Sequence, residues 1–221
     1  MPALTIEKKS GYHHKDLRQA LLMAALALTV ERKSPSFSLR ELAAKLGVSH
    51  SAAYRHFPDK ASLLDALATE GFRKLTDYQL TAMSKAGDDP LAQLYALGTA
   101  YVRFAQENEG FFVLMFSPDL PPAGTGSDRV VEDDKAFGNL TAAIVRCQEA
   151  GIVMKADPEK LASYLVLSAH GLASYAAQGR AGRFATDYER DDFPARVARL
   201  TLTPLLTKPP APREIAALVQ G

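Results

Sequence analysis

Across 221 residues, Val, Ile and Thr never alternate with polar residues over the length of a β-strand, whereas apolar residues recur at helical spacing. A half-buried strand needs a period of two and an amphipathic helix a period near 3.6, so this feature directs nearly the whole chain into helices. Gly and Pro fall between the apolar stretches, where helices must stop. The spacing predicts helices over residues 16–32, 38–46, 49–57, 60–82, 91–108, 111–116, 130–150, 158–178 and 193–206, with a last turn or two over 214–219. Pro35 keeps the first helix from continuing, Pro58 breaks the chain after the third, and Asp59 reads as the N-cap of the fourth. Gly110 reads as an interruption, 117–127 as a mobile loop rich in Pro and Gly, and 179–183 as a Gly/Arg-rich connection. The expected fold is all-α: an N-terminal three-helix unit over 1–65 and a larger helical body over 66–221.

Composition bounds the setting. A hydrophobic content of 47% in a chain of this length supports a sizeable core without disulfides or metals. The single cysteine, Cys147, rules out a disulfide within the chain and fits a reducing cytoplasm, where the protein is expected to reside. Met1 to Ser10 carries no apolar signal-type run, and the stretch from Leu21 to Leu28 is too short to span a bilayer, so no membrane association is expected. The formal net charge of +1 conceals an asymmetry: residues 1–60 hold ten basic and five acidic side chains, and the remainder is net negative. Four of the five histidines also lie in the basic part. A basic block ahead of an acidic body suits a polyanion at one end, although an ordinary charge fluctuation produces the same imbalance.

The sharpest local signal runs from Ser38 to Phe57. Ser38 and Glu41 stand at capping-box spacing, and Leu39, Leu42, Ala43 and Leu46 form the buried face of one short helix. Ala43 is small where a second helix must cross closely, Gly47 supplies a positive φ for a tight turn, and Val48 plugs the corner. Ser49 then caps the next helix. Two short helices meeting steeply through a Gly turn form a helix-turn-helix, whose second helix enters the major groove. Ala52, Ala53 and Phe57 suffice to pack that helix inward, which leaves His50, Ser51, Tyr54, Arg55 and His56 as outward hydrogen-bonding groups. Tyr and Lys suit phosphate oxygens, and Arg and His reach base edges. Lys60 opens the following helix, where its ammonium and the free N–H groups would grip one phosphate. A helical hairpin with a merely polar surface helix is the plainer alternative.

These residues carry a resemblance to a family. The run Leu39-Arg40-Glu41-Leu42-Ala43, Leu46-Gly47-Val48-Ser49, Tyr54-Arg55-His56-Phe57-Pro58-Asp59-Lys60 and Leu63-Leu64 resembles the N-terminal domain of TetR-type regulators, over about residues 12–72. Upstream, Tyr12-His13-His14-Lys15-Asp16-Leu17-Arg18 with Ala20-Leu21-Leu22 is similar to the opening of one subgroup, whose residue at Lys15 is usually Gly. That subgroup has a C-terminal domain named for a Trp-His-Gly tripeptide. Here Ala169-His170-Gly171 matches the His and Gly but not the Trp, and Glu109 to Phe116 adds to the looser C-terminal likeness. The resemblance implies a homodimer on a palindromic operator in double-stranded DNA, usually a repressor released by a small, unidentified effector. It implies phosphate contacts from Tyr54 and Lys60, and base contacts from Arg40 and the first half of the 49–57 helix, Ser49, His50, Ser51 and Ala52 among them. Lys8-Lys9 is similar to the basic arms that some members lay along DNA. The pattern departs at Lys33-Ser34-Pro35-Ser36, where the family places Gly before the Ser38 helix.

In the body, the 158–178 stretch is apolar on more than one face: Leu161, Leu165 and Leu172 form one stripe, Tyr164, Leu167, Gly171, Ser174 and Tyr175 another. The second stripe meets either another helix of the same chain or a second subunit. With Val197, Leu200, Leu202, Leu205 and Leu206 it would make half of a two-fold bundle. Half-sites about 34 Å apart require a dimer. The interface is therefore expected to include Tyr164, Leu165, Gly171, Leu172, Tyr175, Val197, Leu200 and Leu205. Tyr101, Phe104, Phe111, Phe112, Met115 and Phe116 recur at helical spacing as either an apolar effector cavity or plain core, and His170 as either a ligand contact or a satisfied core histidine. Cys147 is either an oxidant sensor or a small apolar filler.

Enzyme classes find no support. There is no Gly-x-Gly-x-x-Gly, no phosphate-cradling Gly-Lys loop and no Gly-x-Ser-x-Gly, and Gly124-Thr125-Gly126-Ser127 lies in a loop without the strand such motifs need. The pairs His13/His14 and His50/His56 lack the i, i+4 spacing and carboxylates of a helical zinc site. No cofactor or metal is expected. The remaining rival is a ligand-independent or architectural DNA binder.

Overall fold

Helix boundaries in the computed structural model, which describes residues 14–177 and 190–220, follow the residues able to cap or stop them. The described helices are α1 (His14–Arg32), α2 (Leu39–Lys45), α3 (His50–His56), α4 (Lys60–Ala86), α5 (Pro90–Glu107), α6 (Glu109–Met115), α7 (Asp128–Glu149), α8 (Pro158–Ala177), α9 (Phe193–Leu202) and α10 (Pro212–Gln220). No strand occurs among the described residues, only an isolated bridge between Val153 and Leu206. Nor is any described helix long and apolar enough to cross a membrane. The all-α expectation holds.

Three helix boundaries differ from expectation for physical reasons. The α4 helix runs to Ala86, where Gly87 at φ +72° ends it, and it passes unbroken through the 65/66 division drawn from sequence. At α6, Gly110 lies inside the helix instead of interrupting the chain. A Cβ there would come within 3.0 Å of Val30 Cγ2 and 3.3 Å of the Leu26 carbonyl oxygen, so the missing side chain lets α6 approach α1. The α9 helix stops at Leu202 because Pro204 cannot continue it, and Thr203–Leu205 forms a 3-10 turn. Residues 178 and 179–183, expected as the end of α8 and a connection, lie outside the described residues.

Two apolar cores result. The larger joins α1, α2 and α3 to α4, α5 and α6, and reaches Ala169 and Ala173 of α8. The smaller lies among α5, α7, α8 and α9 around Leu97, Ile144, Cys147 and Leu202. Cys147 is fully buried, and burial pushes its thiol up to about 11, which keeps it unreactive and leaves it a filler. Three residues assigned to a dimer interface belong to these cores. Leu165, Val197 and Leu205 are buried within the protomer, since the inner faces of α8 and α9 pack on α5 and α7. The outer face of α8 is different: Tyr164, Leu167, Gly171 and Tyr175 are exposed, Leu167 to 69%. Leu172 and Leu200 are half-buried.

Candidate nucleic-acid interface

Ser38 Oγ accepts the Glu41 N–H at 3.1 Å and starts α2. The reciprocal half of the expected capping box is absent, because the Glu41 carboxylate turns to Arg32 of α1. That guanidinium holds the Glu41 carboxyl below the usual carboxylate range and itself donates to the Ser36 carbonyl, which staples α1 to the loop before α2. In that loop Lys33 takes φ +53°, the left-handed conformation for which the family pattern would use Gly, and its ammonium pairs with Glu109 at the start of α6. At the other end of α2, Gly47 sits at φ +66°, and the Val48 N–H donates to the Ala43 carbonyl at 3.0 Å.

The turn delivers α3. Ser49 Oγ accepts the Ala52 N–H at 3.2 Å, Ala53 and Phe57 are buried, and Ala52 packs half-buried on the core. The Phe57 ring also lies 5.1 Å beneath the Arg18 guanidinium, which ties α3 to α1. His50, Ser51, Tyr54 and Arg55 project outward, with Tyr54 45% exposed, and His56 is half-buried. Arg40 is exposed on α2. The polar face of α3 therefore stands free beside Arg40, as a groove-reading helix must.

Lys60 is less free. Its ammonium lies 3.9 Å from the Asp119 carboxylate and 5.2 Å from the centroid of the Phe37 ring. The first turn of α4 is also partly occupied, because the Asp59 carboxylate accepts the Ser62 N–H at 2.7 Å in a full capping box. A phosphate here would rely on the Lys60 ammonium and the Tyr54 hydroxyl more than on the α4 N–H groups expected to share it. Lys8-Lys9 lies outside the described residues.

Behind this surface an apolar cavity of about 90 Å3 opens among α4, α5, α7, α8 and α9. Of the residues assigned to an effector site, Tyr101 and Phe116 line it. Phe112 and His170 instead line a second, more polar cleft against the Lys33-Ser34-Pro35 loop. Phe104 and Met115 are plain core, the latter seated over Gly71, and the half-buried Phe111 lies under the Lys74 ammonium. His170 is partnered on both nitrogens, Nδ1 with the Tyr101 hydroxyl and Nε2 with Ser174 Oγ, each at 2.8 Å. Burial lowers its pKa, which favours the neutral ring such paired bonding uses, one nitrogen donating and the other accepting. The Phe116 ring meets the imidazole edge-on at 4.4 Å, so the two spaces share a wall.

Sequence reading missed the remaining lining, notably Phe72, Gln79, Phe137 and Asp133. Gln79 is satisfied by the Ala136 carbonyl and Asn139 Nδ2. Asp133 has a legible signal: with Ala136, Phe137 and Leu140 it falls at i, i+3, i+4 and i+7, an exposed carboxylate at the edge of the cavity-lining stripe of α7.

Comparison with known proteins agrees with this geometry. A family model described as "Bacterial regulatory proteins, tetR family" matches residues 21–67, and one described as "Tetracyclin repressor-like, C-terminal domain" matches residues 94–200. The nucleoid occlusion factor SlmA of Idiomarina loihiensis is 28% identical over 57% of this chain and 59% of its own. The class D tetracycline repressor protein of Escherichia coli is 38% identical over 31% of this chain and 32% of its own. The chain thus spans less than two thirds of the length of these curated relatives. A solved structure of a protein of unknown function from Rhodococcus sp. RHA1 superimposes with a TM-score of 0.72 at 30% identity, over 89% of this chain and 99% of the other.

Proposed function

The chain belongs to the TetR family of bacterial regulatory proteins and is a DNA-binding transcriptional regulator; from that premise we propose that it acts as a homodimeric repressor of a palindromic operator, released by a small, largely apolar ligand. The observation that carries this reading is the pairing of an outward polar α3 with an apolar cavity lined by α4, the helix that follows α3. Phe72 and Leu75 at the middle of α4 line the cavity, and Lys60 opens the same helix. A ligand that shifts α4 would re-aim the groove-reading helices of both protomers. Membership of the Trp-His-Gly subgroup is part of the proposal and rests on His170-Gly171.

Within this reading Arg40, Ser49, His50, Ser51, Ala52, Arg55 and His56 meet the groove, and Tyr54 and Lys60 hold phosphates. Arg40→Ala or His50→Ala should relax base preference at one operator position by about 1–3 kcal/mol while the rest of the site keeps its pattern. Selection of bound duplexes from random DNA checks this, and an identical sequence pattern for parent and variants would refute the assignment.

The dimer is proposed to form through the outer face of α8, around Tyr164, Leu167, Gly171 and Tyr175, with Leu172 and Leu200 at its edge. Leu167 is too exposed to contribute to the monomer, so its apolar area is recovered only against a second surface. Leu167→Arg should leave the helical content intact and shift sedimentation towards monomer mass. A variant that sediments like the parent would remove α8 from the interface.

A second reading has one observation in its favour. The match to the nucleoid occlusion factors extends over 129 residues, well past the helix-turn-helix, against 69 for the tetracycline repressors. A ligand-independent DNA-binding role is therefore the rival. The random-duplex selection separates the two when repeated with candidate ligands, since only a released repressor loses its site.

A further inference from the structure

Asp133 lines the apolar cavity at its exposed edge, and its carboxylate is unpaired among the described residues. Among the described residues no donor lies within hydrogen-bond or ion-pair distance of its carboxylate, although cations are near in sequence and space. Each of those is committed elsewhere. Arg129, one turn earlier on α7, is buried and pairs with Asp65 at 3.0 Å while also donating to the Pro121 carbonyl. Arg73 pairs with Glu70 and Glu132, and Lys135 pairs with Glu132. The other polar groups of the cavity are likewise satisfied: Tyr101 by His170, Gln79 by Asn139 and Ala136, Thr201 by the Val197 carbonyl. The carboxylate is the one charged lining group described and makes no hydrogen bond or ion pair, and Phe72, Phe116, Phe137 and Tyr101 wall the space around it.

We propose that the cavity takes a small apolar cation, an amine whose ammonium pairs with Asp133 while its aromatic or aliphatic body lies between the Phe72, Phe116 and Phe137 rings. This rests on the reading of the cavity as an effector site and adds the charge of the effector. The physical case is one of compensation. Asp133 is exposed at the edge of the cavity, so its carboxylate keeps water there until a ligand body seats against it and takes that water away; a neighbouring Asp134 adds like-charge repulsion. Desolvation by the surrounding lining raises the Asp133 pKa, with Asp134 adding to the rise and Arg129 opposing it. An incoming ammonium supplies the missing donor and counter-charge, and aromatic faces favour a cation beside them. An anionic ligand would meet the opposite field. At about 90 Å3 the cavity is smaller than the roughly 150 Å3 that holds benzene, so a short chain or part of a ring seats inside it while the ammonium stays at the exposed Asp133.

The test uses isothermal titration of the full-length protein with matched pairs: benzylamine against benzyl alcohol, and 2-phenylethylamine against 2-phenylethanol, on the parent and on Asp133→Asn. Asn is nearly isosteric and removes a charge that the site disfavours, so the variant should fold at least as well as the parent, which thermal melting checks. The parent should bind each amine about tenfold or more tightly than its alcohol. Asp133→Asn should lose that preference while alcohol binding stays within about twofold. Equal binding of amine and alcohol by the parent overturns the cation assignment and leaves the effector cavity standing. An amine preference that persists in Asp133→Asn overturns the role of this carboxylate. If neither member of any pair binds the parent, the cavity is not an effector site for molecules of this size, and both readings fall.

Discussion

Truncating Leu42 to Ala is expected to remove about 2–5 kcal/mol of folding free energy and to abolish duplex binding at temperatures where the parent still binds. Leu42 is completely buried on α2, within the core that joins the three-helix unit to α4, α5 and α6. The cavity left behind cannot collapse easily, because α2 is held at both ends: by the Ser38 cap and the Arg32–Glu41 pair at one, and by the Gly47 turn at the other. Against a total stability of roughly 5–15 kcal/mol, that loss is a large fraction. The same truncation on the protein surface would cost little, so the magnitude itself reports burial. Guanidinium unfolding followed by circular dichroism measures it. A stability change under about 0.5 kcal/mol would mean that Leu42 does not pack where α2 crosses α1 and α3.

How much of this was legible in sequence depended on whether the signal was local. The α2–turn–α3 unit depends on neighbours in the chain: Ser38 and Ser49 cap within three residues, and Gly47 supplies a conformation that other residues adopt at a cost. Those features were readable in full. Lys33 was not, since the backbone takes a left-handed conformation there without Gly, supported by an ion pair to Glu109 far along the chain. Gly110 read as a break because its reason is a close approach of α1, a distant element. The effector residues depend on distant elements in the same way. The Tyr101 to Phe116 run reads as apolar, but which of its rings face the cavity depends on where α4, α7 and α9 lie, and only Tyr101 and Phe116 do. Burial of Leu165, Val197 and Leu205 likewise follows from α8 and α9 packing on α5 and α7, which periodicity alone does not reveal. Asp133 is the exception: its place in register with the apolar stripe of α7 is visible in the spacing.

Neutralising Lys60 should weaken operator binding on the order of 50-fold at about 0.1 M monovalent salt and reduce the slope of log K against log salt by about 1.8. The estimate takes one phosphate contact per protomer and two protomers per operator, each contact releasing about 0.9 of a counterion. The geometry imposes a condition, because the Lys60 ammonium already lies 3.9 Å from Asp119 and over the Phe37 ring. Asp119 is 54% exposed, so that pair contributes well under about 1 kcal/mol and yields readily to a phosphate. Phe37 then acts as a platform that keeps the ammonium near the surface from which Tyr54 also projects. Because a phosphate contact carries no base information, Lys60→Ala should weaken specific and non-specific duplexes alike, in contrast to Arg40→Ala. Titration of labelled operator and scrambled duplex at several salt concentrations resolves the two effects. A Lys60→Ala slope equal to that of the parent would show that the ammonium stays with Asp119 and Phe37 in the complex, and that α3 meets DNA without it.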